Sequence, residues 1–418
     1  MSSTIAVEKL RVGMFIQLDG GWLSHPFPLS SFRIAGEDQI ATLRRLGLRE
    51  LRWVPEKSDL SDGDIDPVPN PGIPPKVDAA TLLSQQRRQD LQTQRELIQR
   101  CERQHSEAAK SWRQAWDAVG AHPKGAALGA QNLTQAMLDN MLDAQEIGIR
   151  LVAGGGDRAA GHALNVGIIS LLIARTLGVP ENELLDLGVG ALMHDVGKTE
   201  VADRFRHAED GFSAIELSAY RDHVAKGVAL GHRMGLSAGA LNVLSQHHEH
   251  ADGSGFPLKH GGERLSRGAR IVALVNRYDN LCNPQARTLA LTPHEAVSVG
   301  FAQGRQRFDA AVLNAFIRMM GVYPAGSLVQ LTDDRFGLVV GVNSSRPLKP
   351  RVLVHEPSLP RSEALVMDLE RTPNLGIRRS LPASKLPTAA IEFLDPRPRV
   401  SYYFEPLLSP EPCEETGT

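Results

Sequence analysis

HDVGK at 194–198, with HHEHADGSGFP at 247–257, is the part of the sequence from which the rest is read. Each stretch holds a doublet, His194-Asp195 and His247-His248, inside a region of almost unbroken helical periodicity from about Gly125 to Met320. Imidazole and carboxylate suit iron, manganese or zinc, and separate helices of a bundle commonly project such side chains into one core pocket. Adjacent residues on a helix diverge by roughly 100°, so one doublet does not easily serve one small ion. Two doublets on neighbouring helices are instead expected to bracket a pair of metals about 3.5 to 4 Å apart, with Asp195 bridging and the histidines fanning out to either ion. Lys198, four residues after His194 and so expected on the same helical face, would reach a phosphate oxygen held by those ions. Coordination lowers the pKa of bound water towards neutrality, so no protein nucleophile is needed. His162 and His223 stand singly, and a single helical histidine more often packs or faces solvent; their weight comes from the doublets. His207, His232, His250, His260 and His294 read as solvated, with His250 a neighbour of the site.

The chain has 418 residues, too many for one core and suited to two or three domains. Its 46 basic and 48 acidic side chains leave a formal charge of -2, which excludes a global field drawing it to nucleic acid or an anionic membrane. Cys101, Cys282 and Cys413 lie far apart without CxxC spacing, which argues against a disulfide framework or a thiolate zinc site. The start lacks an export signal and no stretch reaches roughly 18 uninterrupted apolar residues, so a cytoplasmic location is expected.

Composition divides the chain. Residues 1–56 read as a small α+β module with short strands such as MFIQL at 14–18 and a helix near Asp38 to Leu46. Residues 57–77 are a Pro/Asp-rich linker. Residues 78–124 read as one long exposed helix, rich in Gln, Arg, Glu and Leu, that suggests pairing into a homodimer. Residues 125–324 read as an all-α domain, 325–405 as a β appendage containing SLVQL, FGLVV and RVLVH, and 406–418 as a frayed tail. The expected fold class is mainly α.

These pieces resemble the HD-GYP domains, a branch of the HD phosphohydrolases. HALNV at 162–166, HDVGK at 194–198, HVAKG at 223–227 and HHEHADGSGFP at 247–257 occur in the family's order. The stretch FDAAVLNAFIRMMGVYPAGSLVQL at 308–331 resembles the family's usual end, and IAVEKLRVGMFIQLDGGWLSHPF at 5–27 resembles an uncharacterised domain often found ahead of it. The resemblance implies a helical bundle with two or three iron or manganese ions that hydrolyses cyclic di-GMP to linear pGpG or GMP in bacterial signalling. The metal ligands it implies are His162, His194, Asp195, His223, His247 and His248, with Asp195 and Lys198 catalytic and Lys198 contacting substrate phosphate. Gly255-Phe256-Pro257 stands where the family has Gly-Tyr-Pro, and the ring still supplies most of the contact area.

Three positions depart from the pattern. In ALVNRYDNL at 273–281, Asn276 takes the place of an aspartate ligand; its amide coordinates but is neutral. Gln285-Ala286-Arg287-Thr288 replaces a run whose cations grip phosphate, leaving Arg287 or Arg277 to reach in. Arg158 stands where three-metal members carry glutamate, so two divalent transition metals are expected, with Arg158 free to serve a phosphate. Three readings stay open: an active phosphodiesterase of a cyclic dinucleotide, a weak or inactive domain that binds nucleotide or a signalling partner through the Gly-Phe-Pro loop, and a hydrolase of another nucleotide.

Overall fold

The computed structural model describes residues 3–18, 31–46, 48, 50–59, 79–142, 146–154, 156–207, 211–343 and 346–407, so most of the expected linker and tail lies outside the described residues. The chain divides into two compact units, residues 1–78 and 79–418.

In the first unit, strands β1 (Ser3–Ala6), β2 (Phe15–Gln17), β3 (Ser31–Arg33) and β4 (Glu50–Trp53) form an antiparallel sheet in the order β1-β4-β2-β3, joined by helix α1 (Glu37–Arg45). Ile40 and Leu43, one turn apart on α1, complete a core with Ile16, Ile34 and Leu51.

The second unit opens with α2 (Ala79–Ala118) and α3 (Pro123–Leu142), followed by strand β5 (Glu146–Leu151). Helices α4 (Arg158–Thr176), α5 (Glu181–Met193), α6 (Ala214–Met234), α7 (Ala238–Gln246), α8 (Arg267–Cys282), α9 (Pro293–Arg307) and α10 (Ala310–Met320) come next. The chain then adds β6 (Leu328–Leu331), β7 (Phe336–Asn343), β8 (Arg351–Val354), β9 (Val366–Asp368), β10 (Ile377–Ser380), α11 (Thr388–Leu394) and β11 (Tyr402–Leu407). Helix starts follow the side chains that satisfy free amides. Asp157 accepts from Ala159 and Ala160 at the head of α4, and Ser213 with Glu216 and Thr292 with Glu295 form capping boxes on α6 and α9. Among the described helices only α4 is long and apolar enough to cross a membrane, and it is the central core helix, packed by α5, α8 and α10.

Two expectations are corrected here. The long helix is not exposed all round: Cys101, His105, Ala108, Trp112, Ala115 and Val119 recur every three or four residues as a buried stripe against α3, α4 and β11. Nor is the region after residue 125 purely helical: β5 lies within it, and the small β part expected at 325–405 pairs with that strand. The sheet runs β10-β6-β7-β5-β11, so a strand from before the HDVGK helices lies within it, and β8 with β9 extends from β7. Arg150 on β5 binds Glu405 on β11 at 2.7 Å inside this join, and Arg351 also grips Glu405. A buried carboxylate held by two guanidiniums is satisfied only when both strands are in place.

Candidate active site

Each doublet sits where a helix ends. His194 caps the C-terminus of α5 and Asp195 starts a tight 3-10 turn over Val196–Glu200; His247 caps the C-terminus of α7. Because the helix stops, neighbouring side chains escape the divergence of a continuing helix and face one centre. Lys198 therefore reaches the centre around a turn, not along the helical face expected from its spacing; its Nζ lies 2.6 Å from Asp195 Oδ2. Gly197 permits the turn, since a Cβ there would meet His223 O at 1.9 Å and Gly227 N at 2.4 Å. His162 comes from α4 and His223 from α6.

The structure brings His162, His194, Asp195, His223, His247 and His248 together. Asp195 Oδ2 faces His194 Nε2 at 3.5 Å and His162 Nε2 at 3.7 Å, while Oδ1 faces His223 Nε2 at 3.6 Å and His247 Nε2 at 3.8 Å. Donor atoms of His162, His194 and Asp195, and separately those of Asp195, His223, His247 and His248, lie within 4.8 Å of one another. The tautomers follow from the other ring nitrogen. Nδ1 of His194, His223 and His247 donates to the carbonyl three residues earlier, Ala191, Tyr220 and Leu244, at 2.7, 2.6 and 2.8 Å. His162 Nδ1 donates to Asp279 Oδ2 at 2.6 Å. Each Nε2 is thus left as a lone pair pointing inward. Those lone pairs meet head-on, His162 with His194 and His223 with His247, both at 3.2 Å, and Asp195 Oδ1 has no hydrogen-bond donor. An electron-rich, buried set of this kind is satisfied by cations, and the C-terminal ends of α5 and α7 add their partial negative charge. The donors fit divalent metal.

Burial pushes the His194 imidazole down to about 4, against the pull of Asp195, and also lowers His223, His247 and His248. These rings are neutral at physiological pH, the form that ligates. Burial favours the neutral form of Asp195 too, but the Lys198 ammonium beside it outweighs that and holds the carboxyl well below its ordinary range.

Two adjoining cavities of about 560 Å³ and about 400 Å³ border this centre and share Arg158, Lys198, His207, Asn280 and Gln285. Arg206 and Arg399 line the larger; Phe256, Asn276, Arg277 and Arg307 line the smaller. Phe256 stacks on His248, centroids 4.4 Å apart, and Gly255 is required behind it because a Cβ would lie 2.4 Å from His248 O. Pro257 is exposed. Asn276 is buried and its Oδ1 accepts from Asn280 at 2.6 Å. Arg287 is a correction: the turn Arg287–Leu289 leaves it exposed and it borders neither cavity, where Gln285 stands instead. His207 is a second, being half-buried against Arg158 at 3.1 Å rather than solvated. His294 likewise stacks on Tyr323.

Sequence reasoning missed Asp279, which orients His162 and also accepts from Asn165 and Asn283. It missed Tyr220, whose hydroxyl lies 3.4 Å from His248 Nε2, and Glu249, which accepts from the Leu258 amide and so folds the Gly-Phe-Pro loop back. Position three residues before His223 was the only available signal for Tyr220; Asp279 had its place in ALVNRYDNL.

Residues 147–312 match a family model described as the HD domain, and residues 2–128 match one described as a domain of unknown function, DUF3391. All six clustered donors and Asp279 lie inside the matched residues 147–312, whereas Trp112, Trp116 and Arg399, which also border the larger cavity, lie outside them. The cyclic di-GMP phosphodiesterase PA4108 of Pseudomonas aeruginosa is 28% identical over 371 residues, covering 85% of this chain and 85% of that protein. The cyclic di-GMP phosphodiesterase response regulator RpfG of Xanthomonas campestris pv. campestris is 31% identical over 150 residues, 35% of this chain and 39% of that protein. A solved HDG"Y"P protein from Bdellovibrio bacteriovorus aligns over 76% of this chain and 98% of its own at 15% identity, with a TM-score of 0.43.

Proposed function

We propose that this chain is a metal-dependent phosphodiesterase that hydrolyses cyclic di-GMP to linear pGpG or GMP in bacterial second-messenger signalling. The observation that carries the reading is Asp195, one carboxylate with a separate pair of inward lone pairs before each oxygen. Nitrogens 3.2 Å apart can both ligate one ion at about 2.1 Å each, so each pair suits one of two ions, iron or manganese by donor type. When bound, such ions supply Lewis acidity and an activated water. His162, His194, Asp195, His223, His247 and His248 hold them; Asn276, at the cavity wall, is the neutral seventh candidate. Lys198 and Arg158 border both cavities and offer cationic donors to phosphate oxygens. With Arg287 outside, Arg206, Arg277, Arg307 and Arg399 take up the phosphate-binding charge. The unpaired, buried thiols of Cys101 and Cys282 accord with a cytoplasmic setting. The Gly255-Phe256-Pro257 loop is the proposed docking point for a signalling partner, and the outer face of α2 the proposed surface for a homodimer.

The test is anaerobic turnover of cyclic di-GMP with manganese or ferrous iron, with metal analysis on the same sample. About two metals per chain and hydrolysis are expected, and His194→Ala is expected to remove both. A second reading, a weak or inactive nucleotide- or partner-binding module, is favoured by one observation: Asn276 and Asn280 pair with each other where the resemblance places a carboxylate. Bound metal without hydrolysis across a panel of nucleotides would establish that second reading. Asn276→Asp separates the two, raising metal content and turnover in an impaired enzyme and changing nothing in a dedicated binding module.

A further inference from the structure

Trp112 and Trp116 lie one turn apart on α2, outside the HD domain, yet both border the larger cavity beside His162 and His194. Their rings are stacked, with centroids 4.8 Å and planes 29° apart. Trp112 is buried, and its Nε1 donates to Leu192 O at 2.8 Å, two residues before His194, so the pair is tied to the helix that presents the metal-site doublet. Arg113 lies 5.1 Å from the Trp112 centroid and is itself held by Asp157.

Packing accounts for Trp112 completely: it is enclosed and its one polar atom is satisfied. It does not account for Trp116. That indole touches the core with part of its surface, is covered on one face by Trp112, and is left half-exposed in the wall of a cavity whose other lining includes Arg158, Arg206 and Lys198. A rigid aromatic surface beside several cations suits a flat ring carried on phosphates. Stacking of a base on an aromatic side chain contributes about 1–3 kcal/mol per base and tolerates any base, because each presents a π face. A cavity of about 560 Å³ is within the ordinary size range of ligand sites.

We propose that Trp116, backed by Trp112, is the stacking surface for one nucleobase of the substrate, so that the helix preceding the HD domain supplies part of the active-site wall. The inference rests on the phosphodiesterase reading above and names where its substrate's base lies. It makes α2 part of the substrate-binding wall, and it places one end of the dinucleotide on the α2 side of the metal centre, in the larger cavity rather than in the one that Phe256 lines.

The experiment compares kcat/KM for cyclic di-GMP with kcat/KM for bis(p-nitrophenyl) phosphate in the metal-loaded full chain. In Trp116→Leu, which keeps apolar bulk but loses the π surface, the ratio of the two is expected to fall about 5- to 150-fold, through KM for cyclic di-GMP, and Trp116→Phe to recover most of it. A role in folding alone would lower both constants together and leave the ratio unmoved, which overturns the proposal. As a second readout, GMP is expected to quench indole fluorescence in the native chain and to lose most of that quench in Trp116→Phe while still competing for the site; an undiminished quench in that variant overturns it as well. Should the native chain cleave bis(p-nitrophenyl) phosphate but not cyclic di-GMP, the substrate assignment fails, and the GMP titration still decides the stacking.

Discussion

Asp279 does for His162 what a main-chain carbonyl does for His194, His223 and His247: it takes the Nδ1 proton and turns Nε2 inward. A carboxylate can be exchanged where a carbonyl cannot, so this residue gives the cleanest check on the tautomer argument. Asp279→Asn, which can present its amide nitrogen to the ring, is expected to lower metal affinity and turnover about 10- to 100-fold with little loss of helix content. Unchanged metal content by elemental analysis would show that the orientation of His162 does not matter. Far from the centre, His105 is buried on α2 with an unpartnered Nε2 and an edge against Tyr403, and burial pushes its imidazole down to about 4. A base with a lowered folded pKa binds fewer protons folded than unfolded, so stability is present above the unfolded value near 6.5 and is lost as pH falls towards 4. By about 1.36 kcal/mol per unit, this group alone removes up to about 3 kcal/mol over that window. His105→Leu should flatten the fall in Tm between those two pH values; a parallel fall in both proteins would assign the acid sensitivity elsewhere.

Elements place these residues by ending at the right point. The doublets were readable because two ionisable neighbours repeated in two helices are rare, but spacing alone put Lys198 on a continuing helix, and the turn at Asp195 replaced that picture. The turn exists because Gly197 lets the chain lie against α6 with no side chain between. Gly197→Ala is expected to cost about 1–3 kcal/mol in urea unfolding and to displace Asp195 and Lys198 together, lowering metal content as well as stability. A variant as stable and as metal-loaded as the parent would mean that α6 yields at little cost. The misreading of α2 has a related cause. Its composition is polar enough for an exposed helix, and the stripe from Cys101 to Val119 is obvious only once α3, α4 and β11 are seen against it.

At the scale of the molecule, α2 and β11 belong to the fold of the second unit. A chain beginning at Ala79 is expected to keep the melting temperature of that unit. One beginning at Pro123 lacks α2 with Trp112, uncovers the apolar faces of α3, α4 and β11 that α2 covers, and should aggregate or melt more than about 10 °C lower, since each large apolar side chain returned to water costs about 1.5–3 kcal/mol. Equal melting of the two truncations would show that α2 is dispensable to the core.

By itself the sequence determined the kinds of atom available: imidazoles and one carboxylate in helical segments, a Gly-Phe-Pro loop, a polar helix ahead of them and strands behind. These follow from local chemistry, because periodicity, caps and glycines act within a few residues. Only the tertiary structure decided which oxygen of Asp195 meets which imidazoles, that Asp279 faces His162 across 117 positions of chain, that Arg287 borders neither cavity, and that two tryptophans from before residue 147 stand at the larger one. Those facts are distances between segments far apart in sequence, set by packing α2, α4, α8 and the sheet around one core, and no local pattern encodes them.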